Sequence, residues 1–484
     1  MTTLLSILPI AVAVAVLVAG RGTLIAALSG AGAALLSALI ATATPGISLH
    51  FGQLAASETL DLVILAGEVL AILLFGMVLA QLLEAIGALQ TISARIRSLL
   101  PDPIVGAGPI VFGVVPFVES VTGYGIGLTA GIPLLRRLGF SIRTSAFLGL
   151  LGLIAVPWGA LGPGTAVAAQ LTGLGLQELG VGSAWANALP VVIVFALTTA
   201  ITRAWRSLSG LVGLIAAAVC LWGGILTANI LIGTPLAGVL GSLLVIAVLL
   251  TGCLLSRRGQ PEPVPGRLAP ALLPYAVLTV GLLLASGAAA LWPSPMTAVL
   301  SAPPVWLAIA CAVAARMLAS RAPAAEVVGT AARAWIPVGV ATAGFMLLGW
   351  LMTDTGMTKV IGAGLARIGI GFAPALTALG SVLTGSNTGS NAMFASTIAA
   401  MAATTGTGLL PAVAMSNVAG SFAALATPPR VALALSLAAS TADDDGSAAP
   451  DSAEKAQLER SVLIWSLLTA FGTAALVGVV LQLL

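Results

Sequence analysis

The chain has 484 residues, of which 59% are hydrophobic and only 7% are charged, and its formal net charge is +3. A soluble domain carries about a quarter charged residues, so this composition excludes a soluble fold. The small net charge, spread thinly over loops, gives no reason to expect nucleic acid as a partner. The mean hydropathy of +1.13 indicates a protein that lies in a lipid bilayer.

Apolar stretches follow one another along the chain, and at about 20 residues per crossing they predict roughly 12–14 membrane segments. They are long and lack the alternating pattern of a β-barrel, so we predict an all-α polytopic membrane protein. The first stretch has no basic region before it and is expected to be a span, not a cleaved signal. The stretches are 3–20, 22–43, 59–84, 104–135, 144–162, 185–202, 208–231, 234–254, 270–291, 303–320, 335–353, 360–403, 411–440 and 461–484.

A polar linker divides the chain into two parts of similar size. We predict an N-terminal transmembrane half at 1–254, a cytoplasmic linker at 255–269 and a C-terminal transmembrane half at 270–484. The three cysteines stand singly in apolar stretches and the chain has one histidine, so neither a disulfide framework nor a metal site is expected.

The basic residues predict the orientation of the chain, because Lys and Arg collect in cytoplasmic loops. The loops 43–58, 162–184 and 292–302 contain neither Lys nor Arg and alternate with basic loops, which places the N-terminus outside. The basic positions expected in the cytoplasm are Arg21, Arg95, Arg97, Arg136, Arg137, Arg143, Arg203, Arg206, Arg257, Arg258, Arg267, Arg316 and Arg321.

Segment 104–135 has basic loops on both sides, so the chain must enter and leave the membrane by the same face. Its 32 residues are too few for two crossings of about 20 residues each. We therefore predict a re-entrant or broken-helix hairpin. Irregular backbone at this depth is tolerated only where protein or a water-filled cavity shelters it, which marks the segment as a candidate site.

The same segment combines a proline, an acidic residue and a glycine cluster. Proline followed by glycines breaks a membrane helix and frees carbonyls and amides. Glu119 is ionisable inside an apolar stretch, so we predict that it carries a coupling proton. The alternative is a structural glutamate bonded to a backbone amide or a neighbouring helix. The predicted substrate-binding residues beside it are Ser120, Thr122 and Tyr124.

A dense neutral polar patch lies in a second broken segment, 377–403. Amides, hydroxyls and the positive end of a half-helix suit a small anion. In the alternative interpretation, Gly385 and Gly389 form a helix-packing face and the hydroxyls bond to helix carbonyls. The predicted substrate-binding residues are Thr384, Ser386, Asn387, Thr388, Ser390 and Asn391.

Paired broken segments, one in each half, favour an inverted-repeat transporter with its site near the midplane of the bilayer. The literal similarity between the segments is limited to SVTGYG (120–125) and SNTGSN (386–391).

Three further residues are candidates. Asn417 is predicted to bind substrate. Arg430 is predicted to bind a substrate carboxylate, although it could instead neutralise Glu119 or anchor the helix at the membrane boundary. Glu68, deep in 59–84, is a second candidate for proton coupling, with a structural role as the alternative.

Four stretches resemble the L-lactate permease family of secondary transporters. They are VPFVESVTGYGIGLTAGIPLLRRLGF (115–140), IAVPWGALGPGTAVAAQLTG (154–173), LTGSNTGSNAMF (383–394) and the proline-containing end of 416–433, and the resemblance extends from about 60 to 440. It implies proton symport of L-lactate, glycolate or a related short carboxylate. The sequence departs from the family at three positions: Asn387 replaces an aspartate, Ser120 a glycine and Arg430 a small polar residue.

We therefore expect a multi-pass protein of the cell inner membrane that transports small organic anions and is not an enzyme. No cofactor or metal is expected beyond the coupling ion, which is expected to be H⁺. A Na⁺-coupled or exchange-type carboxylate transporter is the alternative, and a channel or membrane-embedded enzyme is a remote one. The expected partners are the substrate anion and the lipid bilayer, with a homo-oligomer left open.

Overall fold

The computed structural model is helical, without a β-strand in the part of the chain that it describes. Ten helices there are long and apolar enough to cross a membrane, or eleven if one sharply bent pair counts as a span. Three shorter apolar helices, of 10–17 residues, accompany them. The all-α polytopic fold class is therefore confirmed. The described residues are 1–99, 103–123, 125–256, 267–319, 323–444 and 452–484.

The first half forms helices α1–α13. A π-helical turn, Ile110–Val114, joins α5 to α6, and a 3₁₀ segment, Gly152–Leu161, follows α8. The helices are α1 (Thr2–Val18), α2 (Thr23–Ala43), α3 (Ala56–Ala85), α4 (Ala88–Leu99), α5 (Pro103–Pro109), α6 (Val115–Thr122), α7 (Gly127–Arg137), α8 (Ile142–Leu151), α9 (Pro163–Thr172), α10 (Leu176–Ala186), α11 (Ala188–Thr202), α12 (Leu208–Leu231) and α13 (Thr234–Ser256).

The second half forms helices α14–α23. Residues 257–266 of the predicted linker lie outside the described residues. The helices are α14 (Leu268–Leu291), α15 (Pro295–Leu300), α16 (Pro303–Leu318), α17 (Ala324–Asp354), α18 (Met357–Leu365), α19 (Ala373–Thr384), α20 (Asn387–Thr405), α21 (Leu409–Ala423), α22 (Pro428–Asp444) and α23 (Ser452–Leu483).

The order of helices repeats between the halves. The long helices α3 and α17, of 30 and 31 residues, each end at a glycine in the left-handed region, Gly87 and Gly356, and a short helix follows. Next come two antiparallel helical arms, and then a helix that is interrupted and restarts at a proline, Pro163 or Pro428. The predicted repeat is therefore visible in the order of elements.

The packing between helices follows the same repeat. Helix α2 packs on α17 as α16 packs on α3, and α1 packs on α18 as α14 packs on α4. Across the centre, α7 packs on α22 as α20 packs on α9. By the basic-loop rule, the first repeat begins outside and the second begins in the cytoplasm at Arg267, which gives the halves opposite orientations.

Hairpin 1, made of α5, α6 and α7, is the predicted same-face hairpin of segment 104–135. Its second arm, α7, has 11 residues and spans about 16 Å, which is too short to cross a bilayer. The chain therefore returns towards the face from which it entered. Hairpin 1 is also well enclosed, since 89% of the window Ile104–Thr122 is buried, against 33% for Ala56–Ala85.

Hairpin 2, made of α19 and α20, is its counterpart in segment 377–403. The two arms lie side by side, because the hydroxyl of Ser390 donates a 2.7 Å hydrogen bond to the carbonyl of Thr377. The chain enters hairpin 2 through a bend of 109° between α18 and the helical stretch Ile370–Thr384.

Both hairpins turn at a threonine followed by a glycine. The Thr122 hydroxyl donates to the carbonyl of Val118, and the Thr384 hydroxyl donates to that of Gly380, four residues back in each case. The next residues, Gly123 and Gly385, have φ of +71° and +72°, which glycine adopts without the strain of a side chain. The structure therefore matches Thr122 with Thr384, so the sequence match of 120–125 with 386–391 was out of register.

Candidate functional site

Glu119 lies on the last turn of α6, at the tip of hairpin 1, and is 1% exposed. Its carboxylate accepts hydrogen bonds from the backbone N–H groups of Gly125, at 3.0 Å, and Gly127, at 3.2 Å. These groups lie at the start of α7, where a helix leaves its first N–H groups without internal partners. The carboxylate therefore joins the two arms of hairpin 1.

Arg430 approaches the same carboxylate from the other half of the molecule. It lies in the first turn of α22, and its Nη2 is 3.9 Å from Oε1 of Glu119. Helix α22 packs against α7, which brings these residues together. This is the contact expected if Arg430 neutralises Glu119, and an anchor at the membrane boundary stays an alternative. Its contact with substrate stays a prediction.

The tip of hairpin 2 presents the N-terminus of α20. Ser386 is the N-cap, and its hydroxyl accepts from the N–H of Gly389 at 3.5 Å. The first N–H groups of this 19-residue helix, from Asn387 onward, point towards the preceding turn. Free N–H groups and the helix dipole together attract an anion.

The two tips meet at one cavity, which we call the central cavity. Its internal volume is about 40 Å³ in this conformation. Both halves contribute, so the structure brings together Glu119, Arg430 and three of the predicted residues of hairpin 2. The lining residues are Leu73, Glu119, Gly123, Val156, Gly159, Pro163, Gly164, Gly385, Ser386, Asn387, Thr388 and Arg430.

Asn391 and Asn417 form a buried amide network with Asn387 behind the cavity wall. The Oδ1 of Asn417 accepts from Asn387 at 3.0 Å and from Asn391 at 2.8 Å. Asn391 also donates to the carbonyl of Gly164 at 2.9 Å. Neither Asn391 nor Asn417 is among the residues that line the central cavity.

Four predicted hydroxyls point away from the central cavity or bond to nearby backbone. Those of Thr122, Thr384 and Ser390 donate to helix carbonyls, which for Thr384 and Ser390 is the alternative interpretation of segment 377–403. Ser120 is fully buried and packs against Gly238 of α13. A Cβ added to Gly238 would lie 2.5 Å from the Oγ of Ser120.

Two other predicted residues are not at the centre of the site. Glu68 is half-buried on α3 and does not line the central cavity. Tyr124 lies outside the described residues.

The break between the 3₁₀ segment and α9 belongs to the site, although no residue of it was a predicted site residue. Gly159, Pro163 and Gly164 line the central cavity. The Gly/Pro-rich string at 156–173 was the signal, but from sequence alone it fitted an irregular outer loop equally well. Ser183, which accepts a hydrogen bond from Asn417, has no such signal because it is a lone serine in an ordinary helix.

Two repeated halves whose helical hairpins meet at a buried polar site define a class, the polytopic secondary transporters with internal repeats. Residues 289–446 match the family model described as L-lactate permease. The match covers about a third of the chain, so this part of the protein is similar to the L-lactate permease family. It includes hairpin 2, Asn417 and Arg430 but not hairpin 1. A search of the curated proteins finds no match to the chain.

Proposed function

We propose that the protein is a secondary transporter of small organic anions in the cell inner membrane, and that it carries L-lactate, glycolate or a related short carboxylate together with a proton. One observation carries the proposal: the broken segments of both halves meet at one cavity that holds a carboxylate, a guanidinium and a helix N-terminus. The match of residues 289–446 to the L-lactate permease family model supports the same class of substrate.

The central cavity offers two groups that suit a carboxylate. The guanidinium of Arg430 can form a pair of parallel hydrogen bonds with it. The N-terminus of α20 also lines the cavity, and its helix dipole favours negative charge there. A short anion can therefore bridge Arg430, on α22, and the tip of hairpin 2, at the start of α20.

Competition for Arg430 provides the coupling. Glu119 and a substrate carboxylate are both anions, while Arg430 is the cation beside them. Two buried anions against one cation leave an uncompensated charge, which is costly away from water. A proton on Glu119 removes that excess and leaves Arg430 for the substrate. Substrate and proton therefore bind together, which is the requirement for symport.

Uptake into proteoliposomes tests this function. Radiolabelled mono- and dicarboxylates are supplied under imposed pH, Na⁺ and voltage gradients. We expect uptake of L-lactate or glycolate that is driven by a proton gradient directed into the vesicles, with the acidic side outside. A Na⁺ gradient should not change this uptake. Absence of carboxylate uptake under every gradient would contradict the proposed function.

An exchange-type or Na⁺-coupled carboxylate transporter is the second candidate. The observation in its favour is that the predicted polar residues of hairpin 2 are neutral amides and hydroxyls. Among the described residues that line the central cavity, Glu119 is the single carboxyl. Acceleration of uptake by a Na⁺ gradient, or by unlabelled carboxylate preloaded inside the vesicles without any pH gradient, would favour this candidate.

A further inference from the structure

A single buried amide ties the two halves together behind the central cavity. Asn417 lies on α21 and is fully buried. Its Oδ1 accepts from Asn387 and Asn391, one turn apart at the start of α20. Its Nδ2 donates to two hydroxyls of the first half. They are that of Thr165 on α9, at a distance of 3.1 Å, and that of Ser183 on α10, at 3.0 Å.

These four bonds use the full capacity of the side chain. A primary amide has two N–H donors and an oxygen that accepts two bonds. Both acceptor positions face hairpin 2 in the second half, and both donors face helices of the first half. Because a buried polar group without a partner is costly, each of the four contacts holds its element at a fixed distance from Asn417.

Two of the elements held in this way, α9 and α20, line the central cavity, through Gly164 and Asn387 respectively. A Cβ on Gly164 would lie 2.6 Å from Nδ2 of Asn387 and 3.1 Å from the backbone nitrogen of Thr388, so α9 and α20 touch at this point. Asn417 does not line the cavity but determines how closely its walls approach.

The repeat gives this junction a charged counterpart. Helix α20 packs on α9 through the amide network. In the corresponding place α7 packs on α22, and Glu119, at the end of α6, faces Arg430 there. The charged junction can change with a proton or an anion. The amide junction contains no ionisable group and keeps its hydrogen bonds at any charge state of the cavity.

We propose that Asn417 is a positioning residue for transport: through Asn387 and Asn391 it holds the N-terminus of α20 against α9 and so fixes the anion-binding wall of the central cavity. This inference rests on the proposed function for the role of that wall. It assigns Asn417 a place behind the site and not direct contact with substrate.

Hydrogen exchange in the full chain, purified in nanodiscs, tests the geometric part without any substrate. In Asn417→Ala we expect faster exchange at the backbone amides of 385–389 and 162–166 and unchanged exchange in peptides that span the tip of hairpin 1. Ser183→Ala, which removes one of the four bonds, should give a smaller change at the same positions. It also serves as the second variant if Asn417→Ala does not fold.

Asn187→Ala is the matched control. Asn187 is equally buried, and its side-chain amide has no hydrogen-bond partner among the described residues. Its replacement should leave exchange at 385–389 unchanged. Unchanged exchange there in Asn417→Ala, or an equal rise at the tip of hairpin 1, would overturn the proposal.

A double-mutant cycle on uptake kinetics tests the functional part with radiolabelled L-lactate. We expect Asn417→Ala to raise KM about tenfold with a smaller effect on the maximal rate, and the double variant with Asn387→Ala to be no worse than the worse single variant. If the fold-increase in KM of the double variant equals the product of the two single increases, the proposal is overturned. Such a product shows that the two residues act independently, because the free-energy effects of independent sites add. If the wild type transports no carboxylate, the proposed function fails, and the exchange experiment still decides the positioning role.

Discussion

Glu119 makes the backbone contacts of the structural alternative and also faces a cation from the second half. Its carboxylate accepts from the N–H groups of Gly125 and Gly127 within hairpin 1, and it also faces Arg430. The sequence alone shows that Glu119 is an ionisable residue in an apolar segment, where a charge is energetically unfavourable. It does not show the neighbour from the other half, because only the packing of α7 on α22 brings Arg430 there.

Replacement of Glu119 by glutamine separates the two roles. Gln retains a carbonyl oxygen for the backbone N–H groups of hairpin 1 but cannot carry the coupling proton. We expect Glu119→Gln to lose uptake driven by a pH gradient and to retain counterflow exchange, both measured in proteoliposomes.

Glu68→Gln is the comparison, because Glu68 lies away from the central cavity, and its pH-driven uptake should remain. Unchanged pH-driven uptake in Glu119→Gln would exclude Glu119 as the proton carrier. Loss of that uptake in Glu68→Gln would show instead that the second predicted carboxyl takes part in coupling.

Arg430 should be sensitive even to a change that keeps its charge. Lysine is a point charge and lacks the planar fork that binds a carboxylate through two parallel bonds. We expect Arg430→Lys to raise the KM for L-lactate about tenfold, which corresponds to about 1.4 kcal/mol. The thermal unfolding midpoint should change little, because a cation still faces Glu119.

Arg316→Lys, at the exposed end of α16, is the control and should leave KM as it is. An unchanged KM in Arg430→Lys would argue that Arg430 pairs with Glu119 alone and does not bind the substrate.

At the scale of elements, both hairpins could be located from sequence because each leaves a physical sign. Basic loops on both sides of 104–135 require a same-face hairpin, and the polar patch in 377–403 does not fit a lipid-facing helix. The register between them could not be read, because the turns differ in length. Helix α6 ends at Thr122 and α7 begins at Gly127, whereas α19 ends at Thr384 and α20 begins at Asn387.

The glycines at the two ends of α20 provide a test of the hairpin 2 tip. Gly385 has φ of +72° and Gly406 has φ of +75°, and an added Cβ would meet no atom within 4 Å at either position. Alanine should therefore cost each site a similar backbone strain, about 1 kcal/mol. Only Gly385 lines the central cavity.

We expect Gly385→Ala and Gly406→Ala to lower the unfolding midpoint by similar amounts, and Gly385→Ala alone to reduce the uptake rate. Differential scanning fluorimetry and proteoliposome uptake measure the two quantities. Equal uptake in both variants would mean that the conformation of the hairpin 2 tip does not limit transport.

At the scale of the whole molecule, the halves interlock and do not stand side by side. Helices α20 and α21 of the second half pack on α9 and α10 of the first, and α22 packs on α7 and α8. The sequence indicated two halves through composition and the central polar linker. It could not indicate that each half completes the other's site, because contacts between distant segments leave no periodic pattern in the chain.

The inverted repeat makes a demanding prediction about α18. Lys359 and Arg367 would by themselves favour the cytoplasm, yet the repeat places this helix outside. The structure links α18 to the α2–α3 loop, which has no Lys or Arg. Nζ of Lys359 donates to Oε1 of Gln53 at 2.7 Å, and the carboxylate of Asp354 accepts from the backbone N–H groups of Gly52 and Leu54. Both segments must therefore lie on the same face.

Single-cysteine labelling in intact cells measures this orientation, in a background whose three native cysteines are replaced by serine. We expect a membrane-impermeant maleimide to label Ser48→Cys, in the α2–α3 loop, and Ala363→Cys, on α18, without permeabilisation. Ser209→Cys, beside the basic turn after α11, should react only after permeabilisation. If Ala363→Cys behaves like Ser209→Cys, the two hairpins would enter from the same face, and the opposed arrangement that brings their tips together at Glu119 would be wrong.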